Sequence, residues 1–141
     1  MEGIRHLILA GRGVSLASVG TGGLITKESA HFHAEGMSCA AFRHGPFEMV
    51  SPAMFVLVFA GLAPTRQLNT NLVADIRKAG GRAELVEMSN GDSLYTLPPA
   101  PEICLPLLEI LPVQMISLAL ALRNNHIPGH FERGTKITVI E

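Results

Sequence analysis

The stretch His6–Gly13, with the sequence HLILAGRG, decides how the rest of the chain is interpreted. Leu7–Ala10 is a continuous apolar run, and Gly11-Arg12-Gly13 closes it at once, a pattern typical of a buried strand that ends in a tight turn. A second continuous run, MFVLVFA at Met54–Ala60, has the composition of a strand buried on both faces. Because such strands occur in parallel sheets covered by helices, the two runs predict an α/β fold.

The other segments supply the helices and the remaining strands. A helix is predicted from about Ser15 to Glu35, where Gly36 ends it, and its glycines are expected to allow close packing on a neighbouring element. The further predicted elements are, in chain order, an irregular or short helical segment at Met37–Pro52, an amphipathic helix at Thr65–Ala79, strands at Ala83–Met88 and Leu94–Leu97, a proline-rich connection at Pro98–Pro106 and a last helix at Pro112–Asn124. This order predicts a three-layer αβα sandwich with a mainly parallel sheet.

Composition and charge exclude several classes of protein. The 141 residues fit one domain, and a hydrophobic fraction of 48% gives it a core, which excludes bulk disorder. The 11 basic and 12 acidic residues nearly balance, which excludes a strongly basic nucleic-acid binder. With no Trp and one Tyr, an aromatic platform for single-stranded nucleic acid is not expected either.

Cysteine usage and the apolar segments indicate a soluble protein of the cytoplasm. Cys39 and Cys104 are too few for a disulfide scaffold and are expected to be buried thiols in a reducing compartment. Met1–His6 lacks the features of a signal peptide. The most apolar stretch, Ile103–Leu122, is interrupted by a glutamate and two prolines, so we expect a helix in a core or a subunit interface and no membrane span. That helix is apolar on almost every side, which predicts a dimer or higher oligomer.

The turn Gly11-Arg12-Gly13 is a candidate anion site. Ligands of open parallel sheets bind beyond the carboxyl ends of the strands, and here a helix begins, with Arg12 and Ser15 close by. The dinucleotide fingerprint is incomplete, because Leu16 stands where its third glycine would fall. A plain strand–helix turn remains the alternative.

Three polar residues in the predicted first helix, Glu28, His31 and Glu35, recur at helical spacing. They could bind a metal, but no further Cys or His spacing supports this, so we predict no metal site and no cofactor. Glu28 is instead a candidate buried or half-buried base for proton transfer between adjacent carbons of a sugar. His44, in a loop before Gly45-Pro46, could open the sugar ring, with a structural or solvated histidine as the alternative.

Together these segments resemble the sugar isomerase (SIS) domain. The motifs that carry the resemblance are Gly11-Arg12-Gly13, Lys27-Glu28, His33-Ala34-Glu35 and His44-Gly45-Pro46, followed by Asp75-Ile76-Arg77 with Gly80-Gly81, Pro106, Pro112 with Gln114, and the ending 133–141. The chain is most similar to the second SIS half of glucosamine-6-phosphate synthase. The resemblance covers nearly all of residues 1–141, which we therefore interpret as a single SIS domain of the second-half type.

The resemblance implies a flavodoxin-like fold and a phosphosugar ligand. It assigns the proton transfer between C1 and C2 to Glu28 and ring opening to His44, which in the family often reaches into the site of a neighbouring subunit. It assigns a sugar contact to Lys136 in the closing tail, whereas a solvated, frayed tail is the alternative. A homo-oligomer or a partner SIS half is the implied partner.

Two departures bear on the activity. Ile25 stands where the synthase has a second lysine, which argues against its amination chemistry but not against isomerisation. The family's phosphate-binding loop of the type Ser-x-Ser-Gly-x-Thr does not occur in this sequence. Part of a sugar-phosphate isomerase is the main interpretation, and a module that senses a sugar phosphate without catalysis is the alternative. The chain is either half of a longer enzyme or a one-domain protein that pairs with itself.

Overall fold

The computed structural model describes residues 2–90 and 95–133, which form alternating strands and helices. The strands are β1 (His6–Gly11), β2 (Ala34–Ser38), β3 (Met54–Phe59), β4 (Arg82–Met88) and β5 (Thr96–Leu97). The helices are α1 (Leu16–Ala30), α2 (Cys39–Arg43), α3 (Ala63–Lys78) and α4 (Leu105–Arg123), with 3-10 turns at Gly13–Ser15, Pro46–Met49 and Glu102–Cys104.

The described strands form one parallel sheet in the order β2-β1-β3-β4-β5. The register places Leu7 beside both Ala34 and Phe55, so β1 lies at the centre of the first three strands. The chain order reverses between β1 and β3, which makes the carboxyl ends of these two strands the topological switch point. The predicted parallel αβα sandwich is confirmed.

Two cores lie on the two faces of the sheet. One face packs α1 and α4 against alternate residues of the strands, such as Leu7, Leu9 and Leu57. The opposite face packs α2 and α3 against Ile8 and the other alternate residues. Since successive residues of a strand point to opposite faces, every residue of β3 is buried and its run is continuously apolar.

Glycines allow α1 to approach the edge strand β2. A Cβ added to Gly23 would lie 2.8 Å from the backbone N of Gly36, and one added to Gly36 would lie 2.2 Å from the carbonyl O of Val19. The expected close packing is therefore confirmed for Gly22 and Gly23, while a Cβ at Gly20 would meet nothing within 4 Å.

The predicted end of the first helix, at Glu35, is wrong, and β2 was not predicted. The helix α1 stops at Ala30 because His31 adopts a left-handed conformation with φ 49°. The following β2 lies at the edge of the sheet and has exposed residues at Glu35 and Gly36, so it lacks the alternation that identifies a strand. Glu28, His31 and Glu35 therefore do not lie on one helical face, contrary to the helical spacing predicted for them.

The last helix begins earlier than predicted. It starts at Leu105, with Pro106 in its first turn, and Pro112 lies inside it. An internal proline removes one backbone hydrogen bond, and a helix buried on one side tolerates this loss when tertiary packing holds it. The predicted strand Leu94–Leu97 is observed as β5, and Leu94 lies outside the described residues.

Residues Glu102–Arg123 also have the length and apolar composition of a membrane-spanning helix, with a mean hydropathy of 2.0. In the fold, however, α4 packs along α1 and contributes Val113, Ile116 and Leu120 to the core. We therefore interpret it as a helix that packs with one side on the core of the domain.

Candidate functional site

The carboxyl edge of the sheet carries a polar cluster at the topological switch point. Arg12, directly after β1, donates from Nε to Oδ1 of Asn69 at 3.0 Å. The amide of Asn69 donates in turn to the carbonyls of Phe59 and Ala60, at 2.9 and 3.0 Å. Asn69 is fully buried. Through its amide group, the Arg12 guanidinium is linked by hydrogen bonds to the end of β3. Asn69 was not predicted as a site residue, although its position as a polar residue on the buried stripe of α3 was the available signal.

A buried carboxyl group joins the starts of α1 and α4. Ser15 donates from Oγ to Oε1 of Glu109 at 2.8 Å, and Oε2 of Glu109 lies 3.2 Å from Oγ of Ser18. Ser18 Oγ is also 2.9 Å from the carbonyl O of Pro106. Burial raises the pKa of Glu109, and the hydrogen bonds from the two serines oppose this only in part. From the sequence, Glu109 was interpreted only as an interruption of an apolar stretch.

These contacts give Ser15 a structural role. Its side chain is fully buried, and its hydroxyl group donates a hydrogen bond to Glu109. Its backbone N–H donates to the carbonyl of Arg12. The described contacts thus use Ser15 to join two helices. Its role in substrate binding stays a prediction.

Two arginines line a cleft on the face of α2 and α3. The cleft has a volume of about 420 Å³ and is lined by Arg12, Arg43, Asp75 and three further residues of α3. Arg43 forms a salt bridge with Asp75 at 2.6 Å. Burial raises the pKa of the nearby Cys39 thiol to about 11, and the charges of Arg12 and Arg43 lower it by less. Cys39 is therefore a protonated thiol beside a cationic cleft, as expected for a buried cysteine, whereas Cys104 is only half-buried.

Glu28 lies far from this cleft. The strand β2 starts beside the start of β1, so α1 must end at the amino edge of the sheet. Glu28 is in the last turn of α1, about 20 Å along the helix from Ser15 at 1.5 Å per residue. It is exposed, so the expectation of a buried or half-buried base is wrong.

His44 lies on the opposite face of the sheet from Glu28. It is exposed and caps α2, with its backbone N–H bonded to the carbonyl of Ala41 at 3.1 Å. Since α2 packs on the face opposite to α1, one chain does not bring its own Glu28 and His44 together. The third predicted group, Lys136, lies outside the described residues.

Comparison with known proteins identifies the architecture. The chain is 29% identical, over 97% of its length, to a glutamine–fructose-6-phosphate aminotransferase (isomerising) of Pyrococcus horikoshii. Its structure superposes on the C-terminal domain of a glucosamine-fructose-6-phosphate aminotransferase of Francisella tularensis with a TM-score of 0.76 and 21% identity, over 89% of this chain and 38% of that one. It superposes on a tagatose-6-phosphate ketose/aldose isomerase of Escherichia coli with a TM-score of 0.79 and 21% identity, over 92% of this chain and 38% of that one.

This chain has the SIS fold. By sequence it is a homologue of the isomerising aminotransferases over most of its length. The chain spans 24% of the length of the Pyrococcus horikoshii relative. It spans 20% of the length of a Brucella abortus relative of the same name, to which it is 32% identical over 81% of its own length, so it corresponds to one part of those enzymes. No family model matches the chain.

Proposed function

We propose that this SIS domain binds a phosphosugar and takes part in its aldose–ketose isomerisation. Residues 1–141 act as a second-half type SIS domain, with Glu28 as the proton-transferring base and His44 as the ring-opening group. The observation that carries the proposal is the homology to an isomerising aminotransferase over 97% of the chain. The motifs Lys27-Glu28 and His44-Gly45-Pro46, through which the sequence resembles the SIS family, support it.

The chemistry requires a carboxylate that both accepts and returns a proton. In the ketose-to-aldose direction, Glu28 removes a proton from C1 while the C2 carbonyl oxygen gains a proton from water, which gives the enediol. The O1 hydroxyl then loses its proton to water as the same carboxyl group delivers a proton to C2. His44 gives a proton to the ring oxygen and accepts one from the anomeric hydroxyl, which opens the ring without net proton change. Ile25 in place of a lysine favours isomerisation over amination, so fructose 6-phosphate, the sugar named in the relatives, is the first substrate to test.

The positions of the two groups support a site shared between two units. Glu28 and His44 lie on opposite faces of the sheet, and both are exposed. A site that uses both therefore takes one from each of two units, either two copies of this chain or this chain and a partner SIS half. On this proposal Arg12, fixed beside its cleft, contacts the phosphate of the ligand, and Lys136 adds a second cationic contact.

The exposed side of α4 supports such an assembly. Apolar side chains recur every three or four residues along α4 and the 3-10 turn before it, and each is at least 41% exposed: Ile103, Leu107, Leu111, Met115, Leu118 and Leu122. A monomer normally buries its apolar stripe and exposes a polar one. We infer that this stripe is covered by the second unit in a soluble, cytoplasmic oligomer.

The proposal is tested by following fructose 6-phosphate in D2O by NMR. Wild type should form the aldose, with solvent deuterium at C2 in the fraction of turnovers in which the carboxyl proton exchanges before it is returned. Glu28→Gln should reduce the rate about 100- to 10,000-fold by removing the base. The matched control is Glu48→Gln, which neutralises another exposed carboxylate and should keep the wild-type rate. His44→Asn should slow conversion of the ring form more than that of an open-chain substrate. Binding of the sugar phosphate without turnover in wild type would contradict the proposal and favour a sensing module.

A further inference from the structure

We propose that His31, His126 and Glu132 form a Zn²⁺ site that ties the end of α1 to the segment after α4. The inference goes beyond the proposed function and does not depend on it. One ligand atom of each of the three side chains lies within 4.8 Å of the other two. The sequence alone did not indicate this site, because the three residues are separated by up to 101 positions and meet only in the folded chain.

The backbone holds both histidines at adjacent helix ends. His31 follows the last residue of α1 in a left-handed conformation, and its N–H donates to the carbonyl of Lys27 at 3.1 Å. Asn125, also left-handed, ends α4, and the N–H of His126 donates to the carbonyl of Ala121 at 2.9 Å. These are two standard helix-terminating motifs, so the positions of the imidazoles do not depend on a flexible loop.

The imidazoles and the carboxylate are already in contact. The two rings have centroids 4.4 Å apart at an interplanar angle of 54°. Nδ1 of His126 lies 3.9 Å from Oε1 of Glu132. Ligands of a tetrahedral zinc ion, bound at about 2.0–2.1 Å, are about 3.3 Å apart, so the side chains must contract by about 1 Å. His31 and Glu132 are exposed, which leaves their side chains room for this movement.

The donor set and the local field select the metal. Two neutral imidazoles and one carboxylate are a ligand set that zinc accepts, with water or another oxygen in the fourth position. Two helix C-termini also meet here, and their carbonyl ends favour a cation. Lys27 and Arg123, in the last turns of the two helices, oppose a cation, so the affinity must come from the three ligands.

Zinc binding to the whole protein is measured by calorimetry, with zinc chloride as the probe. We expect one zinc ion per chain, and an affinity reduced at least about 10-fold in His31→Asn, His126→Gln and Glu132→Gln. Asparagine is chosen at position 31 because it tolerates the left-handed conformation, so this variant should fold. The matched control is His130→Gln, two residues from Glu132 and outside the cluster, which should bind zinc as wild type does.

Two further readouts separate this site from binding elsewhere. Cobalt should give the visible absorption of a tetrahedral complex without a thiolate charge-transfer band, which excludes the cysteines. Zinc at 100 times its Kd should shift the folding equilibrium about 100-fold, seen as a higher melting temperature in wild type and His130→Gln only. The absence of zinc binding in wild type overturns the proposal, as does binding that the three ligand variants leave unchanged or that Cys104→Ser removes.

Discussion

Replacing Glu109 should show that the pKa of this buried carboxyl group is raised in the folded protein. Ser18 has one hydroxyl proton and two oxygens within reach, the carbonyl of Pro106 at 2.9 Å and Oε2 of Glu109 at 3.2 Å. The single proton of Ser18 is therefore shared between these two acceptors, so the charged form of Glu109 is stabilised less than it would be by two full hydrogen bonds. The raised pKa of Glu109, caused mainly by burial, agrees with this arrangement.

The direction of the pH dependence follows from this raised pKa. The folded state binds a proton on Glu109 more tightly than the unfolded state, where the pKa of glutamate is about 4.3. The contribution to stability is therefore complete below about pH 4.3 and is lost as the pH rises through the folded pKa, with a slope of at most about 1.4 kcal/mol per pH unit. In Glu109→Gln this slope should vanish, because the amide does not titrate. The isosteric amide should also keep the bond from Ser15, so it should change the free energy of unfolding at pH 5 by less than about 1 kcal/mol.

Glu109→Ala should be far more harmful. It leaves the buried hydroxyl of Ser15 without an acceptor, which costs about 1–3 kcal/mol, and it adds a cavity between α1 and α4. Urea unfolding of wild type and both variants from pH 5 to 8 gives these quantities. The difference between wild type and Glu109→Gln isolates the contribution of Glu109, because the two proteins share every other titratable group. A difference that stays constant with pH, or a glutamine variant as unstable as the alanine variant, would refute the reasoning.

Three further perturbations test the packing, the assembly and the buried thiol. Gly36→Ala should destabilise the fold by about 2–4 kcal/mol in urea unfolding, because its Cβ meets the α1 backbone at 2.2 Å, while the matched change Gly20→Ala, with nothing within 4 Å, should stabilise it by about 0.5–1 kcal/mol. Equal effects of the two changes would contradict the described approach of α1 to β2. Met115→Glu places a charge in the exposed stripe of α4 and should shift the protein towards monomer in sedimentation. A wild type that is already monomeric at micromolar concentration would refute the assembly. Cys39, with its pKa raised to about 11, should resist iodoacetamide at pH 8 until the protein unfolds, and rapid labelling of the native protein at this position would contradict its burial.

The elements that sequence predicts best are those whose pattern depends on burial alone. The strands β1 and β3 are buried on both faces, so their continuous apolar runs identify them. The edge strand β2 was not predicted, because it is a strand only through its pairing with β1. Its exposed residues Glu35 and Gly36 leave no periodic pattern of apolar residues in the sequence. The start of α4 was misplaced because Pro112, a common first residue of a helix, is tolerated here inside one.

The candidate site shows a similar division. Arg12 and Ser15 were found because a turn after a buried strand is a local pattern. Asn69 and Glu109 were missed, since their importance arises from neighbours that lie 57 to 94 residues away in the chain. Glu28 and His44 are local motifs too, but their separation by the sheet follows from the topology, which a motif does not contain.

The central claim is that one site takes Glu28 from one unit and His44 from another, and mixing two inactive variants tests it most directly. In a twofold dimer of Glu28→Gln with His44→Asn, one of the two shared sites keeps both groups. Random exchange makes half of the dimers mixed, so an equal mixture should recover about one quarter of the wild-type isomerisation of fructose 6-phosphate. No recovery above the separate variants, with mixed dimers shown to form, would contradict a shared site, and a wild type that leaves the sugar phosphate unchanged would contradict a site built from two copies of this chain.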